Sequence, residues 1–414
     1  MNRISTHMTS NNIMHHTRNQ QVEMNNVQNQ IANQSRIQRL RDDPASAAHA
    51  TRHSSYLTRL NRFSDNLQFG INNYRITEGH MRHAVDILQE IRSIAVQGAN
   101  GTYSKEDTQH MARRVDELLG ALIETANAKN GDGTTVFSGD RTQSLPFRVV
   151  EGTIPDFGGR VITNIEYVGS IGLQQTEISD GAYMPLNFPG NRVFWAENQG
   201  IISSRDAGDF VVTEDSAFSI DGIEIPVKAG DNIHSIISAI NRSDASVKAR
   251  LDPVQNSLVI ETTNPHQLWF KDTSGQVLTD LGILRNNQAP PPQNQANDAV
   301  LFGGSMFDAV IRLRNELFSG DTIDIGGRAL GGIDLAMNHL LSEVGSLGAK
   351  TERMELTFLR IEQEIPEVTR RFSAEHDVDM TEAITRLKVL ETTHQAALST
   401  LARIVPKTLL DFLR

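Results

Sequence analysis

The amino-acid sequence predicts a mainly α-helical protein with a β-rich (α+β) insert in the middle of the chain. Heptad-like apolar spacing marks both ends, whereas short alternating runs broken by Gly and Pro fill the middle. Long helices from the two ends would pack as an antiparallel rod or coiled coil, with the insert at one tip. The predicted domains are the terminal helices 1–40 and 374–414, a helical rod with a β-hairpin at 41–148 and 300–373, and an outer insert at 149–299.

Composition excludes several functional classes. Of the 414 residues, 38% are hydrophobic and 6% aromatic, which favours elongated or partly disordered regions over one large core. A net charge of −11 repels phosphate, so we expect neither nucleic acid nor a membrane as a partner. Because cysteine is absent, disulfides, thiol nucleophiles and cysteine-bound metals are excluded. We also expect no membrane span and no cleaved secretory signal, since long apolar runs are lacking.

The first two predicted helices differ in strength. Residues 11–34 are crowded with Asn and Gln, and their apolar positions form a weak amphipathic pattern that would need a partner to become ordered. A disordered tail remains the alternative for this stretch. A second helix should begin at Pro44, after a capping Asp42 or Asp43, and run to about residue 97. At 1.5 Å per residue such a helix would be roughly 80 Å long, which requires a rod or a bundle.

Apolar residues at alternating steps of three and four define packing seams in the first and last thirds of the chain. Most heptad residues hold a protein's own helices together, so the expectation of contacts between subunits rests on the polar-rich ends, which are suited to folding upon assembly. We interpret Phe63, Phe358 and Phe372 as core aromatics. The predicted packing and assembly seam comprises Leu57, Leu60, Leu67, Ile71, Leu88, Leu340, Val344, Leu347, Met354, Phe358, Ile361, Leu387, Leu390, Leu401 and Ile404.

Turn and cap signals divide these elements. Ser104 with Asp107 predicts a capping box for a third helix, and Asp379 should cap the last one. TTVFSGDRTQSLPFRVV, from residue 134, predicts a hairpin around its SGD turn, and GGRALGG at 326–332 predicts a loop. QAPPPQNQAN at 288–297 predicts a linker, after which a helical pattern resumes near residue 299. In the insert, NIHSIISAINRS has helical spacing between β-type runs such as FSIDGIEIPV and SLVIET.

Nothing in the sequence requires catalysis. His49 and His53 share one helix face but lack a third metal ligand, and the polar cluster at 375–379 favours a capped turn over a ligand set. GGRALGG lacks the spacing of a nucleotide-binding loop, and no GxSxG nucleophile elbow occurs. We therefore predict no enzyme, no catalytic residue, no metal and no cofactor.

Five stretches at the two ends resemble the bacterial flagellins and their hook–filament junction relatives. They are MNRISTHM, NQSRIQRLRDDPASAA, IRSIAVQGANGTYSKED, TTVFSGDRTQSLPF and the final helix from DMTEAITRLKVLETTHQ to LLDFLR. The sequence lacks the Gly that the family places after the serine at position 35. The insert stretch FSIDGIEIPVKAGDNIHSIISAINRS resembles a repeat that the family shares, so it does not choose among members. The start NRIST and the close LLDFLR look more like the junction members than like filament flagellin.

The resemblance implies a non-enzymatic structural adaptor of the flagellum, exported without a cleaved signal through the type III channel. Its terminal helices would be disordered in the monomer and would assemble as coiled coils. The implied partners are other copies of itself in a ring, hook-associated protein 1 on the hook side, flagellin on the filament side and an export chaperone at the C-terminal helix. The flagellum could be extracellular or periplasmic. Two alternatives remain open, namely a filament flagellin and a helical stalk that carries a ligand-binding or catalytic insert.

Overall fold

A computed structural model describes residues 6–39, 41–153, 159–285 and 291–404. The predicted fold class is confirmed, because long helices lie near both ends and short antiparallel strands lie between them. The helices are α1 (Thr6–Asn33), α2 (Pro44–Ala99), α3 (Lys105–Ala126), α4 (Gly190–Val193), α5 (Ile233–Arg242), α6 (Val277–Asp280), α7 (Met306–Ser319), α8 (Thr322–Asp324), a π-helical turn (Ile325–Ala329), α9 (Leu330–His376) and α10 (Met380–Ile404). The strands are β1 (Phe147–Thr153), β2 (Arg160–Tyr167), β3 (Gln175–Ser179), β4 (Ala182–Pro185), β5 (Gly200–Asp206), β6 (Ser216–Ile220), β7 (Ile223–Val227), β8 (Val247–Leu251), β9 (Ser257–Thr262), β10 (Phe270–Ser274) and β11 (Val300–Phe302).

The chain forms two compact units. The first contains residues 1–65 and 358–414, and the second contains residues 66–357, so that α2 and α9 each contribute to both. The division of the chain into terminal, rod and insert domains stays a prediction.

In the first unit, α2 and α9 pack antiparallel. The Tyr56 hydroxyl donates to Oε1 of Glu364 at 2.6 Å, and the Ser64 hydroxyl donates to Oε1 of Glu362 at 2.9 Å. Leu60 and Phe63 are buried on the same face of α2. The apolar seam therefore lies between the two helices, and hydrogen bonds between polar side chains lie on either side of it.

In the second unit the same two helices continue antiparallel. Arg75 contacts Glu355 at 2.7 Å, and Arg92 contacts Asp334 at 2.6 Å further along α2. Most of the predicted seam residues here are fully enclosed, and each buried Leu or Met contributes roughly 1.5–3 kcal/mol through the hydrophobic effect. The completely buried predicted seam residues are Leu67, Leu88, Leu340, Leu347 and Met354.

Capping residues fix the shorter helices of the second unit. Ser104 and Asp107 form the predicted capping box at α3, and Ser305 with Asp308 forms another at α7. The two helices pack together through Arg314, whose guanidinium is completely buried and donates to Asp116 at 2.6 Å. Such a buried charge needs its partner, since an unpaired one is strongly destabilising.

The middle of the second unit is an α+β region with its own core. Strands β11, β5, β9 and β8 form one antiparallel sheet, and β10, β6 and β7 form another. The predicted helix is confirmed as α5, which buries Ile233, Ile236 and Ile240 against these strands. Separate β1–β2 and β3–β4 pairs complete the strands of the described residues.

The predicted hairpin around SGD is wrong. Residues 136–146 form turns, and the first strand begins only at Phe147. Gly139 has φ +70°, and a Cβ placed there would lie 2.0 Å from the backbone oxygen of Ser170. The turn therefore serves to seat Phe137 in an aromatic cluster rather than to join two strands. The rings of this cluster are Phe137, Phe147, Tyr167, Phe194 and Phe307.

The predicted loop at 326–332 is also wrong, because these residues are helical. A Cβ on Gly326 would lie 3.3 Å from the Cβ of Ala99, and one on Gly332 would lie 3.4 Å from the Cβ of Ala309. Glycine at these positions permits close packing against α2 and α7, and this packing outweighs its low helix propensity.

The stretch from 291 to 304 differs from the predicted linker and helix start. Asn294 is buried and donates to the backbone oxygen of Phe270 at 2.8 Å, which attaches this segment to the insert. Strand β11 then pairs with β5, and helix α7 begins only at Met306.

Substitution of Gly139 by Ala should destabilise the second unit by more than the backbone cost alone. A left-handed conformation costs a non-glycine residue about 1–2 kcal/mol, and overpacking against Ser170 adds about 1–3 kcal/mol. Gly133 is the matched control, because its φ is +83° and nothing lies within 4 Å of its added Cβ. Urea unfolding of both variants checks this, and equal losses for Gly139→Ala and Gly133→Ala would contradict the contact with Ser170.

Candidate assembly interface

Helices α1 and α10 of the first unit form an antiparallel pair. Arg386 of α10 contacts Glu23 of α1 at 2.5 Å, and the backbones of Ser35 and Asp377 form an isolated antiparallel bridge just beyond the helices. The Asn- and Gln-rich stretch is thus helical and pairs with a helix from the opposite end of the chain.

The seam between α1 and α10 follows the heptad spacing predicted for residues 11–34. Thr17 and Val27 are buried, and the half-buried positions on α1 fall at the same alternating steps of three and four. On α10, Ala383 is buried, whereas Leu387 and Leu390 are only half-buried. Fewer apolar side chains are buried from water in this seam than in the seam of the second unit.

Polar groups weaken the same seam. Oε1 of Gln20 and Nδ1 of His394 are both enclosed without a hydrogen-bond partner. Burying a polar group without a partner costs roughly 1–3 kcal/mol. The terminal pair is therefore marginal on its own, as expected of a two-helix unit with little apolar contact.

A joint of polar contacts holds the chain where α1 ends and α10 begins. The backbone N–H of Arg36 donates to the oxygen of His376 at 2.8 Å, and the N–H of Val378 donates to the oxygen of Gln34 at 3.2 Å. Asp379 caps α10, as predicted, by accepting from the backbone N–H of Thr381 at 2.8 Å. The polar cluster at 375–379 is thus a capped turn that also binds the segment after α1.

Side chains of the joint add an electrostatic contribution. Nδ1 of His376 lies 3.0 Å from Oδ1 of Asp377, and its ring stacks on Phe372 with centroids 4.8 Å apart. The hydroxyl of Ser373 and the ring of His376, in that order, lower the pKa of Asp377 below its ordinary 3.8, because both hydrogen bonds favour the carboxylate. The carboxylate form therefore stabilises the joint.

The structure places most of the predicted seam residues inside the chain's own core. Leu57, Val344 and Phe358 are half-buried. Leu60, Ile71 and Ile361 are buried, together with the five completely buried residues named above. The side chains of Leu401 and Ile404 lie outside the described residues. A role of any of these side chains in contacts between subunits stays a prediction.

Sequence reasoning missed a second set of apolar side chains on the terminal helices, which point to solvent. On α10 these are Ile384, Val389 and Leu398, each between 48% and 57% exposed. On α1 they are Met14 and Val22. Their spacing does not follow the heptad seam, and only the surface left by the α1–α10 pairing identifies them.

The described residues contain no group of three or more His, Asp or Glu side chains that could hold a metal ion. Across the same part of the chain, no helix is both long and apolar enough to cross a membrane.

Three family models match the chain, one at each helical end and one in the insert between them. The bacterial flagellin N-terminal helical region matches residues 4–142, the flagellin hook IN motif matches 211–264, and the flagellin C-terminal helical region matches 330–413. The chain belongs to the flagellin family, whose members are structural, non-enzymatic components of the bacterial flagellum that assemble with each other. The IN motif covers β6, β7, α5, β8 and β9 of the insert.

Individual relatives are distant. Flagellin A of Vibrio anguillarum is 24% identical over 92% of this chain and 90% of its own length. Flagellin FlaB1 of Treponema pallidum is 30% identical, but the match covers 29% of this chain and 42% of that relative. The crystal structure of flagellar hook-associated protein 3 from Legionella pneumophila superimposes with a TM-score of 0.48 at 18% identity, covering 78% of this chain and 97% of that chain. A superposition of this quality does not distinguish the members of the family.

Replacing Asp377 by Asn should weaken the joint at neutral pH and have no effect in strong acid. Because the folded pKa is lowered, the carboxylate stabilises the joint above pH 3.8 and this stabilisation is lost as the pH falls below that value. Asp377 is half-exposed, so the expected loss is on the order of 0.5 kcal/mol or less. The rate at which the backbone amide hydrogens of Arg36 and Val378 exchange with solvent measures this loss of stability.

The control for this prediction is Glu375→Gln, which removes a neighbouring carboxylate. Its exchange rates should match those of the unsubstituted protein. Equal acceleration by both variants at pH 7 would show that overall charge, not the bonds to Asp377, stabilises the joint.

Proposed function

We propose that this protein is a structural adaptor that joins the flagellar hook to the filament, most like hook-associated protein 3. The single observation that carries an assembly role is the set of exposed apolar side chains on α10, which a single chain leaves in water. The sequences at the two ends, NRIST and LLDFLR, favour the junction members over filament flagellin.

The packing of the terminal helices supports assembly coupled to folding. The α1–α10 seam is partly polar, so the pair gains little stability from its own contacts. Packing of the exposed side chains of α10 against neighbouring subunits would add the missing apolar burial, at about 25 cal/mol per Å². The termini would then be only marginally ordered in the monomer and firmly folded in the assembly.

The proposed partners follow from this role. Other copies would form a ring, hook-associated protein 1 would bind on the hook side and flagellin on the filament side. An export chaperone would cover α10 before assembly, since its apolar side chains are exposed. The insert at 149–299, which has a core of its own, would face outward from the ring.

A filament flagellin is the second candidate. The match to flagellin A of Vibrio anguillarum extends over 92% of the chain, insert included, and favours this candidate over a stalk that carries a catalytic insert.

Substitution of Ile384 by Asp should block assembly without unfolding the chain. Ile384 is 54% exposed, so a charge there costs the monomer little but would be buried unpaired between subunits. Light scattering of the full-length protein with purified hook ends as seeds measures assembly, and circular dichroism measures helix content. Thr385→Asp is the matched control, because it adds the same charge at the next exposed position. Normal assembly of Ile384→Asp would contradict a role of this surface.

Deletion of the gene distinguishes the two candidates. Loss of an adaptor should leave hooks without filaments while flagellin is still secreted into the medium, because the filament lacks a starting surface. Loss of a filament flagellin should instead leave the junction proteins in place at the hook end. Electron microscopy and immunoblots of the culture medium measure this, and hooks that still carry the complete set of junction proteins would contradict the adaptor.

A further inference from the structure

A cavity of about 180 Å³ lies in the insert, where five stretches of the chain meet. They are the connection from β2 to β3, helix α4 with the residue before it, the β6–β7 turn, the loop after α5 and the loop after β9. Sites for drug-sized ligands measure roughly 300–1,000 Å³, so a ligand of this cavity must be smaller. The lining residues lie outside α1 and α10, so a ligand here would be independent of the proposed assembly surface.

Hydrogen bonds within the chain hold the wall formed by the loop after β9 in place. His266 is buried, and its ring nitrogens lie 2.9 Å from the backbone oxygen of Asn264 and 2.9 Å from Oδ2 of Asp221. Oδ1 of Asp221 accepts from the backbone N–H of Trp269 at 3.0 Å. The carboxylate of Asp221 is therefore fixed in orientation, and its oxygens retain lone pairs for a further donor.

Two charged side chains of the lining leave most of their hydrogen-bonding capacity unused. Asp244, in the loop after α5, is exposed, and its carboxylate forms no hydrogen bond or ion pair with another described residue. Arg192 of α4 is also exposed, and Nε of its guanidinium lies 3.9 Å from Oε1 of Glu343. That distance is too long for a hydrogen bond, so the N–H groups of Arg192 are available to a ligand.

Aliphatic side chains complete the lining of the cavity. They are Ile171, Leu173, Pro189 and Ile223. The described residues contain no group of side chains suited to a metal ion, and both nitrogens of His266 already face protein oxygens. The cavity therefore offers carboxylates to a cationic group, a guanidinium to an anionic group and an aliphatic wall to an apolar group.

We propose that this cavity binds a small α-amino acid with an aliphatic side chain. The carboxylates of Asp221 and Asp244 would attract its ammonium group, and Arg192 would donate to its carboxylate. Its side chain would pack against Ile171 and Ile223. A zwitterion matches both signs of charge that the cavity presents, whereas a simple cation or anion matches only one of them.

A bound amino acid would connect two parts of the second unit. Arg192 belongs to α4, which is attached to α9, because Nε2 of His339 lies 2.9 Å from the backbone oxygen of Arg192. Asp221 and Asp244 belong instead to the β6–β7 turn and to the loop after α5, whose neighbouring strands and helix form the insert core. Binding would therefore strengthen the attachment of the insert to the long helices.

Three probes separate the contributions of the two charges. L-Valine carries both, isobutylamine is valine without its carboxylate, and isovalerate is valine without its amine. Saturation-transfer NMR with the full-length protein measures the dissociation constant of each probe. We expect a Kd of roughly 1 mM for L-valine, because it has few atoms, and binding of either analogue about tenfold weaker or more, because each loses one charge-assisted contact.

Two substitutions of exposed side chains assign the contacts. Arg192→Gln should weaken binding of L-valine about tenfold and leave binding of isobutylamine unchanged, since the amine has no carboxylate for Arg192 to bind. Asp244→Asn should weaken binding of both L-valine and isobutylamine. Asp209→Asn is the matched control for Asp244→Asn, because Asp209 is an exposed carboxylate of the insert that does not line the cavity.

Three results would each overturn the proposal. The first is no saturable binding of L-valine up to about 10 mM, well above the expected Kd. The second is equal weakening by Asp244→Asn and Asp209→Asn, which would show that only the overall charge of the insert matters. The third is tighter binding of D-glucose than of L-valine, which would indicate a site for a neutral sugar instead.

Discussion

The pairing of helices from opposite ends of the chain is the constraint on which the rest of the structure depends. In the first unit, α1 and the start of α2 find their partners in α10 and the end of α9, and Arg386 contacts Glu23 across more than 360 positions of sequence. In the second unit, α2 contacts α9 and α3 contacts α7 in the same way. The whole insert is therefore a loop between paired helices, and it must fold with its ends held close together. The entropy cost of such a closure grows only slowly with loop length, so a long insert is tolerated.

Because the entropy cost of loop closure changes little with length, the stability of each helix pair depends mainly on the side chains in its seam. The seam of the second unit buries Leu67, Leu88 and Leu340 completely, whereas the α1–α10 seam contains the buried Thr17 and the unpartnered amide oxygen of Gln20. Both seams follow the same heptad spacing. Because its seam is less polar, the second unit is the more stable of the two. The terminal helices are less stable, so additional packing against them has a larger effect on their order.

Much of the helical fold could be predicted from local sequence rules. The start of α2 at Pro44 and the Ser104 capping box of α3 depend on residues within one turn of each other, so the sequence alone determines them. The predictions that failed depend on distant contacts. The backbone oxygen of Ser170 leaves no room for a side chain at Gly139, and Gly326 lies in a helical turn packed close to Ala99. The members of each pair are far apart in the sequence, so no local rule relates them. The glycines of SGD and GGRALGG therefore led to the wrong predictions of a hairpin and a loop.

The candidate interface was only partly accessible to prediction, for a related reason. Heptad spacing identifies side chains that face a partner helix, and most of those identified, such as Leu67 and Met354, are enclosed by the chain itself. A side chain that is already completely buried cannot contact a second subunit unless its own helix pair opens. Under the proposed function, the contacts between subunits would therefore come largely from residues outside the seam, such as Ile384 and Val389, whose exposure depends on how α1 and α10 pack. A regular seam thus predicts the fold of this chain, and the irregular apolar residues that it leaves exposed are the ones available for assembly.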